Sequence, residues 1–223
     1  MKKLVTGYQR FRDHSFEEHR ELFAHLGGGQ SPQALFITCS DSRINPNLLT
    51  QTNPGDLFIL RNAGNIVPPH GATPNGEAAT IEYAIEALGV RDIVVCGHSQ
   101  CGAMKALLDP PSAPSLSAVR QWLTLAEPTR RVIERCYGDR DPEEKINVAI
   151  QENVLQQLVN LRTLPCVASH LAAGDLRLHA WVYQLTTGEV FSHDMQEGQF
   201  RPLTESANPA VSRRALDGGL FGP

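Results

Sequence analysis

Short apolar blocks alternate along the chain with amphipathic stretches. Residues 1 to about 26 place Phe16, Leu22, Phe23 and Leu26 near a helical period, and the glycines at 27–29 stop it. Four apolar segments then predict strands: Ala34–Cys39, Leu57–Leu60, Ile93–Cys96 and Leu176–Leu185. Between the second and third, Ala78, Ile81, Ile85 and Leu88 share one face of a helix that Gly89 ends. Strand, helix and strand in that order imply right-handed parallel crossovers. From Ser115 to about Leu171 the pattern is mostly helical. Its clearest part starts at an N-cap Asp141 with Pro142 in the first turn. The apolar series Ile146, Ala149, Ile150, Val154, Leu158 and Leu161 follows. The segment around Thr187-Gly188 closes as a hairpin. One α/β domain is expected over residues 1–200, with the Pro-, Ser- and Gly-richer residues 201–223 lying loosely on the surface.

The 223 residues suffice for one domain with a substantial core. A 41% apolar and 20% charged composition is that of an ordinary folded chain. A net charge of -4 with no basic stripe argues against nucleic acid as a partner. No apolar run reaches the ~20 residues of a membrane span, and two lysines near the start lack the apolar stretch of a secretory signal. A cytoplasmic protein is expected. Five scattered cysteines do not form a secreted disulfide framework, so they are either buried small residues or metal-binding and catalytic thiols.

Two short stretches change the picture. The first strand breaks into Cys39-Ser40-Asp41-Ser42-Arg43, and an extended chain would put Cys39, Asp41 and Arg43 on one side. The third strand runs into "GHSQCG", with His98 and Cys101. Both lie at carboxyl ends of predicted parallel strands, where ligands collect in such sheets. If they meet, two thiolates and an imidazole suit zinc better than magnesium or calcium. Three protein ligands leave a fourth position open, as in catalytic zinc sites. Asp41 would then either bind the metal as a fourth ligand or accept a hydrogen bond from its hydroxide. Arg43 would hold the carboxylate. Taken singly, each residue has an ordinary explanation: a small buried thiol, a loop histidine, a surface ion pair. Cys96, Cys136 and Cys166 keep that ordinary explanation.

Together, "CSDSR" and "GHSQCG" resemble the paired CxDxR and HxxC motifs of the β-class carbonic anhydrases, most like bacterial and cyanobacterial members. "GDLFILRNAGNIV" and "IEYAIEALGV" are also similar to family segments. The resemblance spans about residues 1–200. It implies a mostly parallel central sheet flanked by helices, an N-terminal helical arm that embraces a partner subunit, and a C-terminal hairpin strand pair. It implies zinc on Cys39, His98 and Cys101, and a catalytic Asp41–Arg43 dyad. Gln30, Phe58, Ala63, Tyr83 and the Gly102 backbone match positions that line the family's small substrate pocket. A homodimer or dimer of dimers is implied.

The activity implied is reversible hydration of carbon dioxide to bicarbonate and a proton, by attack of zinc-bound hydroxide oriented through Asp41. Other chemistries that fit are hydrolysis of carbon disulfide or carbonyl sulfide at the same zinc, and bicarbonate binding without turnover. His70 is a weak candidate for carrying the proton away. One branch of the family closes its site at low pH, the aspartate moving onto zinc, linked to a regulatory bicarbonate held by Trp, Arg and Tyr. Arg61 and Tyr183 match two of these, but Phe36 stands at the Trp position and lacks the indole N–H. An open site at neutral pH is expected, with Asp41 paired to Arg43. Carboxysomal relatives tend to carry a long C-terminal extension, so the cytoplasm is expected rather than a carboxysome.

Overall fold

A computed structural model describes residues 1–72, 76–110 and 114–204. The chain divides into two compact units, Met1–Ser31 and Pro32–Pro223. The first is helical: α1 (Lys2–Arg10), a π-helical turn over Phe11–Ser15, α2 (Phe16–Glu18) and α3 (Arg20–Leu26). The apolar positions of its sequence meet in an aromatic cluster. The Phe16 and Phe23 rings stack at 5.1 Å, with Phe11 edge-on to both. Leu4, Val5 and Tyr8 of α1 stay exposed.

The second unit is built on one sheet. Its strands are β1 (Ala34–Cys39), β2 (Leu57–Asn62), β3 (Asp92–His98), β4 (Arg177–Tyr183), β5 (Val190–Asp194) and β6 (Gln199–Pro202). They lie in the order β2-β1-β3-β4-β5-β6. The first four are mutually parallel, and β5 and β6 return antiparallel. The sheet is therefore the mostly parallel one that the sequence implies. The expected hairpin gains a third strand, β6, which contains residues 201 and 202. Of the tail expected to lie loosely, 205–223 fall outside the described residues.

Seven helices longer than one turn accompany the strands among the described residues of this unit. These are α4 (Pro46–Thr50), α5 (Gly76–Glu82), α6 (Gly102–Leu108), α7 (Ser117–Leu123), α8 (Glu127–Cys136) and α9 (Pro142–Thr163), followed by α10 (Pro165–Ala173) after Leu164. The helix expected to carry Ala78, Ile81, Ile85 and Leu88 begins as α5 and passes into a π turn over Tyr83–Ala87. The short α4 and α6 carry too few residues for a periodic signal. Asp141 caps α9, its carboxylate accepting from the Glu144 N–H at 3.0 Å.

β1 and β3 are buried on both faces, which explains their unbroken apolar sequences. On one face Leu35, Ile37, Ile93, Val95 and Leu178 pack with Ile150, Val154, Leu158 and Leu161 of α9. The other face carries a smaller cluster of Phe36, Ile44, Val94 and Cys96. Gly97, in the last turn of β3 before His98, lets α9 lie close against the strand. A Cβ there would stand 2.8 Å from Val154 Cγ2 and 3.1 Å from Ile150 Cγ2.

Candidate metal centre

β1 and β3 are parallel neighbours, and their carboxyl ends deliver Cys39 and His98 to the same edge of the sheet. Three residues on, Cys101 occupies the N-cap of α6, with extended backbone angles. Cys39, His98 and Cys101 are all buried, and their ligand atoms lie within 4.8 Å of one another. The two sulfurs are 4.0 Å apart, close to the ~3.8 Å separating two thiolates that share a tetrahedral zinc at ~2.3 Å each. His98 Nδ1 donates to the Ser99 carbonyl at 2.9 Å. That fixes the tautomer and leaves Nε2 a lone-pair acceptor. Nε2 is buried with no hydrogen-bond partner. Such an orphaned atom is rare in a folded core, and a metal held jointly with the two sulfurs accounts for it.

Backbone N–H groups support both sulfurs. Cys39 Sγ accepts from Gly64 N at 3.4 Å, and the backbone N–H groups of Asp41 near Cys39 and of Ala103 and Met104 near Cys101 favour negative charge on the sulfurs. The contact between the two sulfurs pushes the Cys39 thiol down, against its burial and with help from His98, and the same contact pushes Cys101 up. Cys96, by contrast, is pushed up to about 12 by complete burial. Cys136 and Cys166 lie outside the cluster.

The chain does not remain extended past Cys39. β1 ends there and turns, so the alignment of Asp41 with Arg43 arises from a turn rather than from strand alternation. The Arg43 N–H donates to Asp41 Oδ1 at 3.0 Å, and its side chain grips the same carboxylate through Nε to Oδ1 at 2.9 Å and an outer nitrogen to Oδ2 at 2.7 Å. The Arg43 guanidinium holds the Asp41 carboxyl well below the usual carboxylate range. Asp41 Oδ2 stands 3.8 Å from His98 Nε2, beside the metal cluster.

The loop after β2 forms a further wall. Gly64 takes a positive φ of 81° and fits beneath α6, where a Cβ would be 3.0 Å from Ala103 Cβ. The Trp122 indole N–H donates to the Ala63 carbonyl at 2.8 Å. Amides of α9 hold the rest: Asn153 donates to the Gly64 carbonyl at 2.9 Å, Gln157 accepts from Val67 N at 2.8 Å, and Asn160 donates to the Val67 carbonyl at 2.8 Å. No motif in the sequence marks these three amides as holding the loop. The available signal is their spacing: 153, 157 and 160 share one helical face, next to the apolar positions of the same helix.

The remaining expected residues are spread. Gly102 begins α6, and an added Cβ there would meet no atom within 4 Å, so the space beside it is open. The Phe58 and Tyr83 rings face each other at 6.1 Å. Phe58 pairs with Leu35, however, four residues before Cys39, which is ~13 Å along the strand. Gln30 belongs to the N-terminal unit and is exposed. Arg61 donates to three backbone carbonyls, those of Cys39, Asp41 and Ile44, at 2.7–3.0 Å. Tyr183 packs with Phe36 on the opposite sheet face, where Trp181 meets Phe36 edge-on at 6.1 Å. His70 is exposed, its N–H donating to Thr163 Oγ1.

Residues 34–190 match the family model described as carbonic anhydrase. A carbonic anhydrase of Synechocystis is 51% identical over 195 residues, 87% of this chain and 71% of the relative. One from Pseudomonas aeruginosa is 44% identical over 218 residues, 98% of this chain and 97% of its own. The solved β-carbonic anhydrase CcaA superposes with a TM-score of 0.91 at 48% identity, covering 93% of this chain and 94% of that one. A tetrameric β-carbonic anhydrase of Sordaria macrospora superposes with a TM-score of 0.77 at 29% identity, covering 86% and 95%. No helix among the described residues is long and apolar enough to cross a membrane. By sequence and by fold alike, the chain belongs to the β-class carbonic anhydrases.

Proposed function

We propose that the protein interconverts carbon dioxide with bicarbonate and a proton at a zinc held by Cys39, His98 and Cys101, with Asp41 and Arg43 as its catalytic dyad. One observation carries this reading: the buried, unpaired His98 Nε2 faces the two sulfurs and lies 3.8 Å from an Asp41 oxygen. Zinc, when bound, supplies a water acidic enough to lose its proton near neutral pH. Cys39 and Cys101 would hold it through their sulfurs and His98 through the lone pair of Nε2. Asp41, kept ionised by Arg43, accepts a hydrogen bond from the attacking water and turns a lone pair toward the carbon. The Gly102 N–H, beside open space at the head of α6, takes an oxygen of the forming bicarbonate.

An uncharged substrate needs apolar walls, and Ala63 on its pinned loop is one. Phe58, four strand positions before Cys39, sits too far from it to provide the other, and Tyr83 packs beside Phe58. Their role as substrate-facing rings therefore requires the site of a second copy, with Gln30 reaching it from the N-terminal arm. The exposed apolar face of α1 and the tetrameric fungal relative support a homo-oligomer. The five free cysteines support a reducing cytoplasm as its location. The deciding experiment pairs zinc content with stopped-flow hydration of carbon dioxide, read by a pH indicator, before and after metal removal. One zinc per chain and rapid hydration lost with the metal are expected. Zinc without hydration would point to bicarbonate binding alone, and turnover of carbonyl sulfide in preference to carbon dioxide would point to the sister hydrolase.

A further inference from the structure

Arg43 is half exposed, so its grip on Asp41 is open to competition from water unless something else fixes the guanidinium. Gln100 does so twice: its side-chain Oε1 accepts from one Arg43 nitrogen at 3.3 Å, and its backbone carbonyl accepts from the other at 3.1 Å. Gln100 sits between two metal-cluster residues, His98 and Cys101, in a left-handed conformation with φ 58°. For a residue with a side chain that conformation is strained. It aims the carbonyl toward Arg43 rather than along the strand. The amide side chain itself is exposed and lies outside the apolar core, so nothing about packing demands a glutamine here.

We infer that Gln100 is a positioning residue for the reaction: through its two contacts with Arg43 it keeps the Asp41 carboxylate turned toward the nucleophile. The inference rests on the dyad roles proposed above. With the guanidinium tied at four points, two on Asp41 and two on Gln100, Arg43 cannot follow the carboxylate if it rotates, and the carboxylate does not rotate alone without giving up both charge-assisted bonds. The turn carrying two metal-cluster residues is in this way coupled to the turn carrying the dyad.

A double-mutant cycle tests it, using Gln100→Met, which keeps the length and removes the side-chain acceptor while leaving the backbone carbonyl contact, and Arg43→Ala. In the otherwise unchanged enzyme, Gln100→Met is expected to lower kcat three- to tenfold with KM within twofold and one zinc per chain retained. In the Arg43→Ala background the same change is expected to alter kcat by less than 1.5-fold, because the residue it acts through is gone. Gln100→Glu, which restores an acceptor oxygen at similar reach, should recover kcat to within threefold. An equal loss from Gln100→Met in both backgrounds, or no loss in the first, overturns the assignment while leaving the dyad intact. An Arg43→Ala enzyme with an unchanged rate overturns the dyad reading itself and the assignment with it.

Discussion

Gly97 of β3 lies directly beneath Val154 of α9, so close that a Cβ on it would stand 2.8 Å from Val154 Cγ2. The next residue is His98. Packing of the longest helix is thereby transmitted to the end of the strand that delivers the imidazole. Gly97→Ala is expected to cost about 1–3 kcal/mol, the usual range for overpacking a tight core, seen as a lower denaturant midpoint. Its zinc should also be lost at lower chelator concentration than in the parent. A variant as stable as the parent would mean that α9 yields at this point.

The cluster predicts an all-or-none metal response. Cys101→Ser places a hard hydroxyl where a thiolate stood, and zinc content is expected to fall well below one per chain, with hydration lost in proportion. Cys96→Ser serves as the contrast, since that thiol is buried in the opposite face of the sheet and pushed up to about 12. It should leave zinc content unchanged and show its effect in stability. Full zinc in the Cys101→Ser protein would remove the ligand assignment.

The dyad is expected to matter for turnover more than for metal retention. Asp41→Asn keeps the shape but loses the charge that Arg43 grips, and Arg43→Ala frees the carboxylate from its two side-chain bonds. Each should slow hydration more than tenfold with zinc retained, measured by stopped flow beside metal analysis. Rates near the parent's would end the proposed roles.

Acid stability is expected to depend on Asp92, at the far end of the sheet. Burial alone would raise its pKa, but hydrogen bonds from Arg177 (Nε to Oδ1, 2.7 Å) and His179 (Nε2 to Oδ1, 2.8 Å) outweigh burial and lower it. A folded pKa below the ~3.9 of an unfolded aspartate means that the stabilisation is fully present above ~pH 4. It is lost as the pH falls through the folded value. Asp92→Asn should therefore cost about 1–3 kcal/mol at pH 7, the scale of hydrogen bonds to a charged group. The difference from the parent should shrink below ~pH 4. Thermal melts at pH 7 and pH 3 would show this, and a pH-independent difference would contradict it.

Local sequence determined a good deal of this protein. The apolar run Ala34–Cys39 marks β1 at both ends, because burial on both faces leaves no room for a polar residue until the chain emerges at the site. Asp141 and Pro142 mark the start of α9, since an N-cap and a first-turn proline act on backbone groups within one turn. The residue types Cys, His and Cys were enough to name the metal chemistry, because softness and charge belong to the side chain itself. What tertiary structure alone decided is who meets whom. Asp41 and Arg43 meet through a turn and not through strand alternation, a turn held by the Arg43 N–H on the Asp41 carboxylate, the Ile44 N–H on the Asp41 carbonyl and Arg61 from the neighbouring strand. Asn153, Gln157 and Asn160 are spent on the carbonyls and N–H of a loop some 90 residues earlier, and no periodicity records the partner of a buried amide. Phe58 sits four strand positions away from Cys39, a separation set by the register between neighbouring strands, which depends on how the whole sheet packs. Gln100 acts on Arg43 only because parallel pairing brings the ends of β1 and β3 side by side.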